Sequence, residues 1–112
     1  MISFEIAKKL KAAGLKWEPK HGDCYAETNG LIDLYWSMTV KSPEDTRLQI
    51  WLPRLDQLLS EIENRGYGWD LRAIACDEYR CDLLNSHYMF SAMSPEKAAA
   101  DALLWILEQA AK

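Results

Sequence analysis

The side chains of this chain that are best suited to chemistry are its three cysteines and two histidines. Cys76 and Cys81 are separated by four residues, and His21 and Cys24 by two. A structural zinc site favours two to four residues between paired ligands and needs two such pairs that meet in space. His21 and Cys24 would lie at the far end of another hairpin. The spacing therefore favours ordinary small apolar thiols over zinc ligands.

A cysteine nucleophile would need a histidine base beside it and a third residue to orient that base. Cys24 has two candidate bases, His21 in a predicted turn and His87 at the end of a predicted hairpin. The acidic pair Asp77-Glu78 also falls in a predicted turn, where solvated carboxylates are expected. Each glycine is explained by a turn or a helix end, so no phosphate-cradling loop is predicted. We therefore assign no catalytic, metal-binding or cofactor-binding residue, and no cofactor.

Three helices are predicted to position the remaining features. Ser3 and Ser94 are suitable N-caps for the first and last helices. Gly14 and Gly66 are suitable stops for the first and second helices, because glycine readily adopts the left-handed conformation that ends a helix. The predicted helices cover residues 3–13, 53–66 and 95–110.

Short strands are predicted between these helices, at residues 15–18, 24–28, 31–40, 69–75, 79–84 and 88–92. Asn29-Gly30 is the preferred pair for a two-residue type I′ turn, which would place Tyr25 opposite Leu34. The pattern predicts an α+β fold with a mainly antiparallel sheet of about five to six short strands and three helices.

The register of the last three strands follows from the alternation of side chains between the two faces of a sheet. A two-residue turn at Asn85-Ser86 pairs Cys81 with Phe90 on an apolar face. A three-residue loop at 76–78 would then pair Leu71 with Leu83 on the same face. That loop would also place Arg72 opposite Asp82 on the other face.

Two segments of the chain echo each other 52 residues apart. Gly14 and Trp17 align with Gly66 and Trp69, and Ser42-Pro43-Glu44 aligns with Ser94-Pro95-Glu96. We predict one domain over residues 1–112, with an internal repeat of 2–52 and 54–104. The two helix-plus-strands units would resemble an α/β/α sandwich. The alternative is a coincidence of common helix-stop and helix-cap residues.

Composition and charge argue against several functional classes, namely nucleic-acid-binding, secreted and membrane-spanning proteins. The chain has 112 residues and a net charge of −4, which fits one globular domain and disfavours nucleic-acid binding. A basic cluster at Lys8–Lys20 is expected to be a solvated lysine face. We find no signal-peptide pattern, and the longest apolar run, Ala102–Leu107, is far shorter than a membrane span. Three cysteines favour a reducing cytoplasm.

Tryptophan is abundant, with five residues in the chain. Trp105 falls on the charged side of the last predicted helix, away from the stripe that contains Leu103. Tryptophan is favoured at the centres of protein interfaces because it buries a large rigid area. We therefore take Trp105, with Leu104 and Trp51, as candidate partner-binding residues. The alternative is that Trp105 covers the edge of the sheet.

Two strings carry a resemblance to known proteins: WLPRLDQLLSEIENRGYGW at residues 51–69 and FSAMSPEKAAADALLWILEQ at residues 90–109. In this order and spacing they resemble a family of small phage and prophage proteins without an assigned activity. The resemblance covers roughly the C-terminal half, and the other half matches only through a helix followed by GLKWEP. It implies a viral or mobile-element accessory protein that works inside a bacterial cell, and it supplies no catalytic residue.

Together these features favour a non-enzymatic accessory module that binds a host or phage protein. The alternative is a small enzyme, or a nucleotide-binding or ligand-binding protein, whose site has no linear motif. Nucleic-acid binding through Lys8–Lys20 is a third hypothesis, and membrane association is not expected.

Overall fold

The computed structural model describes residues 2–17, 23–27, 32–34, 49–84 and 86–110. The chain divides into two compact units, the N-terminal unit (residues 2–53) and the C-terminal unit (residues 54–112). The described residues form three helices and two three-stranded antiparallel sheets. The predicted α+β class is therefore confirmed, with the strands divided between two sheets.

The N-terminal unit consists of one helix and one sheet. Its elements are α1 (Phe4–Ala12), β1 (Cys24–Glu27), β2 (Ile32–Leu34) and β3 (Gln49–Leu52), and the strand order is β2-β1-β3. Ser3 caps α1 as predicted, since its hydroxyl accepts a hydrogen bond from the Ile6 N–H at 3.2 Å. Leu10 of α1, Tyr25 of β1 and Leu52 of β3 are each at most 2% exposed and form the centre of its core.

The strand predictions for this unit need correction. In the structure Cys24 pairs with Leu34 and Tyr25 with Asp33, one residue away from the predicted register. The predicted register of β1 and β2 is therefore wrong, and the predicted turn at Asn29-Gly30 lies outside the described residues. Residues 15–17 form no strand, and β3 was not predicted at all. The predicted segment 35–40 lies outside the described residues.

The C-terminal unit contains α2 (Leu55–Asn64), β4 (Trp69–Ala75), β5 (Glu78–Leu83), β6 (Tyr88–Ala92) and α3 (Pro95–Ala110). The bounds of β4, β6 and α3 agree with the prediction. Helix α2 begins two residues later than predicted, because Arg54 is extended and serves as the N-cap. The Arg54 N–H donates to the side-chain oxygen of Gln57 at 2.8 Å, and Pro53 precedes the helix.

The sheet of the C-terminal unit has the order β4-β5-β6. The predicted β5–β6 register is confirmed, with Cys81 opposite Phe90. The predicted β4–β5 register is wrong by two residues, since Leu71 pairs with Cys81 and Arg72 with Arg80. A bulge between Ala73 and Ala75 and a shorter turn cause the shift. The two-residue shift keeps Leu71 and Ala73 on their predicted face, whereas Ala75, beyond the bulge, pairs with Glu78.

Helix α3 supplies most of the core of this unit. It packs against α2 and against all three strands. Four alanines at positions 98, 99, 100 and 102 are fully buried and allow close approach, while Leu103 and Ile106 supply bulk. On the facing side of the sheet, Cys81 and Leu83 are at most 2% exposed.

The glycines of the 52-residue echo end α1 and α2 in the same way. Gly14 has φ 111° and Gly66 has φ 87°, in the left-handed region that favours glycine. Each is followed by a residue whose N–H donates to the carbonyl five residues earlier, as in a Schellman motif. These bonds join Leu15 to Leu10 at 3.0 Å and Tyr67 to Ile62 at 3.3 Å.

The tryptophans of the echo also donate their indole N–H to a carboxylate. Trp17 donates to Asp23 at 2.9 Å, and Trp69 donates to Glu63 at 2.8 Å, so one bond runs forward along the chain and the other backward. The Ser42-Pro43-Glu44 part of the echo lies outside the described residues. The repeat of 2–52 and 54–104, and the single domain over 1–112, stay predictions.

Candidate protein-binding surface

Helix α3 positions two of the predicted partner-binding residues. The Ser94 hydroxyl accepts a hydrogen bond from the Lys97 N–H at 3.1 Å, and Pro95 occupies the first helical position. The apolar stripe of α3 then faces the core, as Leu103 shows with 0% exposure. Leu104 and Trp105 follow that stripe and are half-buried, so each presents part of its side chain to solvent.

Trp105 lies at the centre of an aromatic cluster. Its ring centroid is 4.3 Å from that of Tyr88 and 6.3 Å from that of Phe90, both on β6. Tyr67 meets it edge-on, with centroids 6.3 Å apart and planes at 82°. Aromatic pairs at such distances add roughly 0.5–1.5 kcal/mol beyond the burial of their area. Trp105 therefore covers the β6 side of the sheet while keeping part of its ring accessible.

Large exposed apolar side chains gather on and around β6. The exposed fractions are 53% for Tyr88, 58% for Met89, 64% for Leu84 and 78% for Met93. Leu84 follows β5, next to the turn into β6, and Met93 directly follows the end of β6. Together with Trp105 these four residues define what we call the β6 surface, which includes both faces of this strand, with Tyr88 and Trp105 on the α3 side and Met89 on the other side. Contiguous exposed apolar patches mark protein-interaction sites.

Sequence reasoning missed four members of the β6 surface, namely Leu84, Tyr88, Met89 and Met93. Alternation places Tyr88 on the core face, beside Phe90 and opposite Leu83. Tyr88 is nevertheless half exposed, because it begins a strand that pairs with β5 on one side only among the described residues. The available signal was the absence of any charged residue from position 88 to 94.

Trp51, the third predicted residue, belongs to the N-terminal unit. It lies on β3 directly opposite Tyr25 and is half-buried. Its indole nitrogen is buried and has no hydrogen-bond partner among the described residues. The sequence reasoning placed Trp51 just before the second helix, whereas the structure makes it part of a strand.

The face of the sheet away from α3 is charged. Along β4, Arg72 bonds Asp70, and along β5 the Arg80 Nε lies 3.0 Å from an oxygen of Asp82. Across the strands Asp70 faces Asp82 and Arg72 faces Arg80. Like charges directly opposite one another are unfavourable, so the ion pairs along each strand compensate for the cross-strand arrangement.

The thiols occupy three different environments. Cys81 is fully buried, Cys24 is half-buried and Cys76 is exposed in the turn after β4, and all three are free. Burial raises the pKa of the Cys81 thiol to about 11, and the charges of Asp82 and Asp70 add to the effect. Cys81 is therefore an inert core residue.

The histidine and lysines within the described ranges add no further cluster of candidate site residues. His87 is exposed with φ 58°. His21, the other candidate base for Cys24, lies outside the described residues. Lys8, Lys9 and Lys16 are exposed in the N-terminal unit. Among the residues that the structure describes, no three His, Cys, Asp or Glu side chains are placed to hold a metal ion.

No helix within the described ranges is both long enough and apolar enough to cross a membrane. Comparison of the chain with protein-family models, with curated proteins and with solved structures finds no match.

Proposed function

We propose that this chain is a non-enzymatic module that binds a host or phage protein, and that the β6 surface is where it binds. The observation that carries the proposal is the concentration of exposed apolar side chains in one ten-residue stretch, from Leu84 to Met93, beside the half-buried Trp105.

The chemistry of this stretch suits protein recognition. Tyr88 and Trp105 are rigid aromatic residues with a polar atom at one edge, the type enriched at interface centres. Met89 and Met93 are flexible and polarisable, as on surfaces that adapt to a partner. The Tyr88–Trp105 stacking, with centroids 4.3 Å apart, holds the aromatic part of the surface in place before binding. A preorganised surface loses less conformational entropy on binding.

The proposed setting is the interior of a bacterial cell that carries a phage or prophage. It rests on the resemblance of residues 51–69 and 90–109 to small phage and prophage proteins. No specific cluster among the described residues supports the enzyme or ligand-binding alternatives.

The test is capture from the native cell with a tagged chain, followed by direct binding of the purified partner. Tyr88→Ser should weaken binding by at least about tenfold, since removing an interface aromatic costs upward of about 1.4 kcal/mol. The variant should keep the fold, because Tyr88 is about half exposed.

Ile74→Ser is the matched control. Ile74 is 42% exposed on β4, in the same sheet but across β5 from β6, so its loss should leave the affinity unchanged. Equal affinities for wild type and Tyr88→Ser would contradict the proposed surface. Loss of binding in the Ile74→Ser variant alone would move the site to the β4 side.

A further inference from the structure

The two outer strands of the C-terminal sheet differ in how well they resist pairing with another chain. A strand at the edge of a sheet presents unpaired N–H and C=O groups, and proteins protect such edges with charged side chains, proline or bulges. Strand β4 has two of these devices, the charged residues Asp70 and Arg72 and the bulge between Ala73 and Ala75.

Strand β6 has none of them. Its sequence, YMFSA, contains no charge and no proline, and its register with β5 runs from Tyr88 to Ala92 without a bulge. Met89 lies in this outer strand, on the face away from α3, and its side chain is 58% exposed. Among the described residues, β6 pairs with β5 alone. Within the described ranges, the other edge of β6 is therefore open to a further strand.

We infer that the occupant of this edge is β6 of a second copy of the chain, paired antiparallel about a two-fold axis at Phe90. In that register Tyr88 lies opposite the second copy's Ala92, and Met89 lies opposite its Ser91. Every large side chain away from the axis thus meets a small one, and no charged residues face each other. A strand that is self-complementary in size and charge fits a closed, isologous dimer.

The aromatic cluster fits the same arrangement. Trp105 and Tyr88 stack at 4.3 Å near one end of β6. The two-fold axis brings this stack above the second copy's Ala92, where the small side chain leaves room for the rings. Both copies of α3 then lie on the same face of a continuous six-stranded sheet. Apolar side-chain contacts then add to the backbone hydrogen bonds between the two β6 strands, as in other complexes formed by strand addition.

This inference deepens the proposed function, because it names a second copy as one partner of the β6 surface. Sedimentation of the purified wild type tests it without any other protein. The expected result is a monomer–dimer equilibrium between about 10 μM and about 1 mM, since a five-residue edge gives a weak interface. A monomer throughout this range, or open-ended association beyond the dimer, would overturn the inference.

The double variant Met89→Lys/Ser91→Lys places lysines opposite lysines twice across the axis. It should dimerise at least about tenfold more weakly, because like charges directly opposite destabilise strand pairing. Ser60→Lys/Asn64→Lys adds the same charge on exposed positions of α2 and should dimerise like wild type. Circular dichroism establishes that each variant is folded before sedimentation.

An oppositely charged double variant, Met89→Glu/Ser91→Glu, locates the register. Mixed with the lysine variant it should form a heterodimer that is tighter than the homodimer of either variant. Dimerisation of the lysine variant at wild-type strength would overturn the inference. The proposed function fails by a different result, namely full capture of the host or phage protein by Tyr88→Ser, so the two failures are distinguishable.

Discussion

Leu103 and Leu104 are adjacent leucines on α3 with opposite surroundings, and replacing each by alanine separates core from surface. Leu103 is 0% exposed, whereas Leu104 is half-buried at the flank of the helix. Leu103→Ala removes three carbon atoms from a fully packed site. We expect it to lower the free energy of unfolding by about 2–5 kcal/mol, the sum of lost transfer energy and a residual cavity.

Leu104→Ala removes the same atoms from a position that water already reaches. Its cost should be about 1 kcal/mol or less, because little buried area is lost and no closed cavity forms. Both variants replace leucine by alanine, so the two costs do not differ through side-chain type. Both positions also lie within one helix, so the change in helix propensity is the same.

Urea unfolding followed by circular dichroism at 222 nm measures both values, with the slope of each transition checked against wild type. Equal costs for the two variants would refute the assignment of the buried face of α3. A cost below about 0.5 kcal/mol for Leu103→Ala would make α3 a peripheral element. Leu104→Ala should in addition weaken partner binding, since Leu104 borders Trp105.

Three further predictions follow from the helix ends and the thiols. Gly14→Ala and Gly66→Ala should each lower the free energy of unfolding by about 1–2 kcal/mol, as measured by urea unfolding, because an added Cβ meets no atom within 4 Å and the left-handed φ is the only penalty. Asn at either position should cost less stability than Ala. Equal costs for Ala and Asn would contradict this prediction. Iodoacetamide at neutral pH should modify Cys76 quickly and Cys81 only on unfolding, as peptide mass spectrometry would show. The free energy of unfolding should fall by up to about 1.4 kcal/mol per pH unit from pH 9 towards 11. The reason is that the Cys81 thiol loses its proton at lower pH in the unfolded chain than in the folded protein, where its pKa is about 11. The Cys81→Ala variant should lack this part of the pH dependence.

The sequence predicted the N-caps of α1 and α3, the glycine stops after α1 and α2, and the C-terminal strands, because local chemistry decides them. Backbone N–H and C=O groups at helix ends need hydrogen-bond partners, and residues close in sequence provide for this need. The residues that do so here are Ser3, Ser94, Gly14 and Gly66. The β5–β6 register followed from alternation together with the predicted two-residue turn at Asn85-Ser86, since Cys81 and Leu83 must share the face that α3 covers.

The connections between strands and the outer strands of the sheets were predicted poorly, because contacts between residues far apart in the sequence decide them. The bulge between Ala73 and Ala75 shifted the β4–β5 register by two residues, and no residue in β4 signals it. Strand β3 is short and is defined by its pairing with β1, some 25 residues earlier along the chain. The exposure of Tyr88 depends on which strand ends the sheet, and alternation carries no information about that.

Amide hydrogen exchange is the measurement that tests the β6 surface most directly, because it locates a binding site residue by residue. With rising protein concentration, or with a captured partner added, the amides of Tyr88–Ala92 should gain protection while those of β4 stay unchanged. Protection confined to β4 or to the N-terminal unit, with no change in β6, would contradict the account.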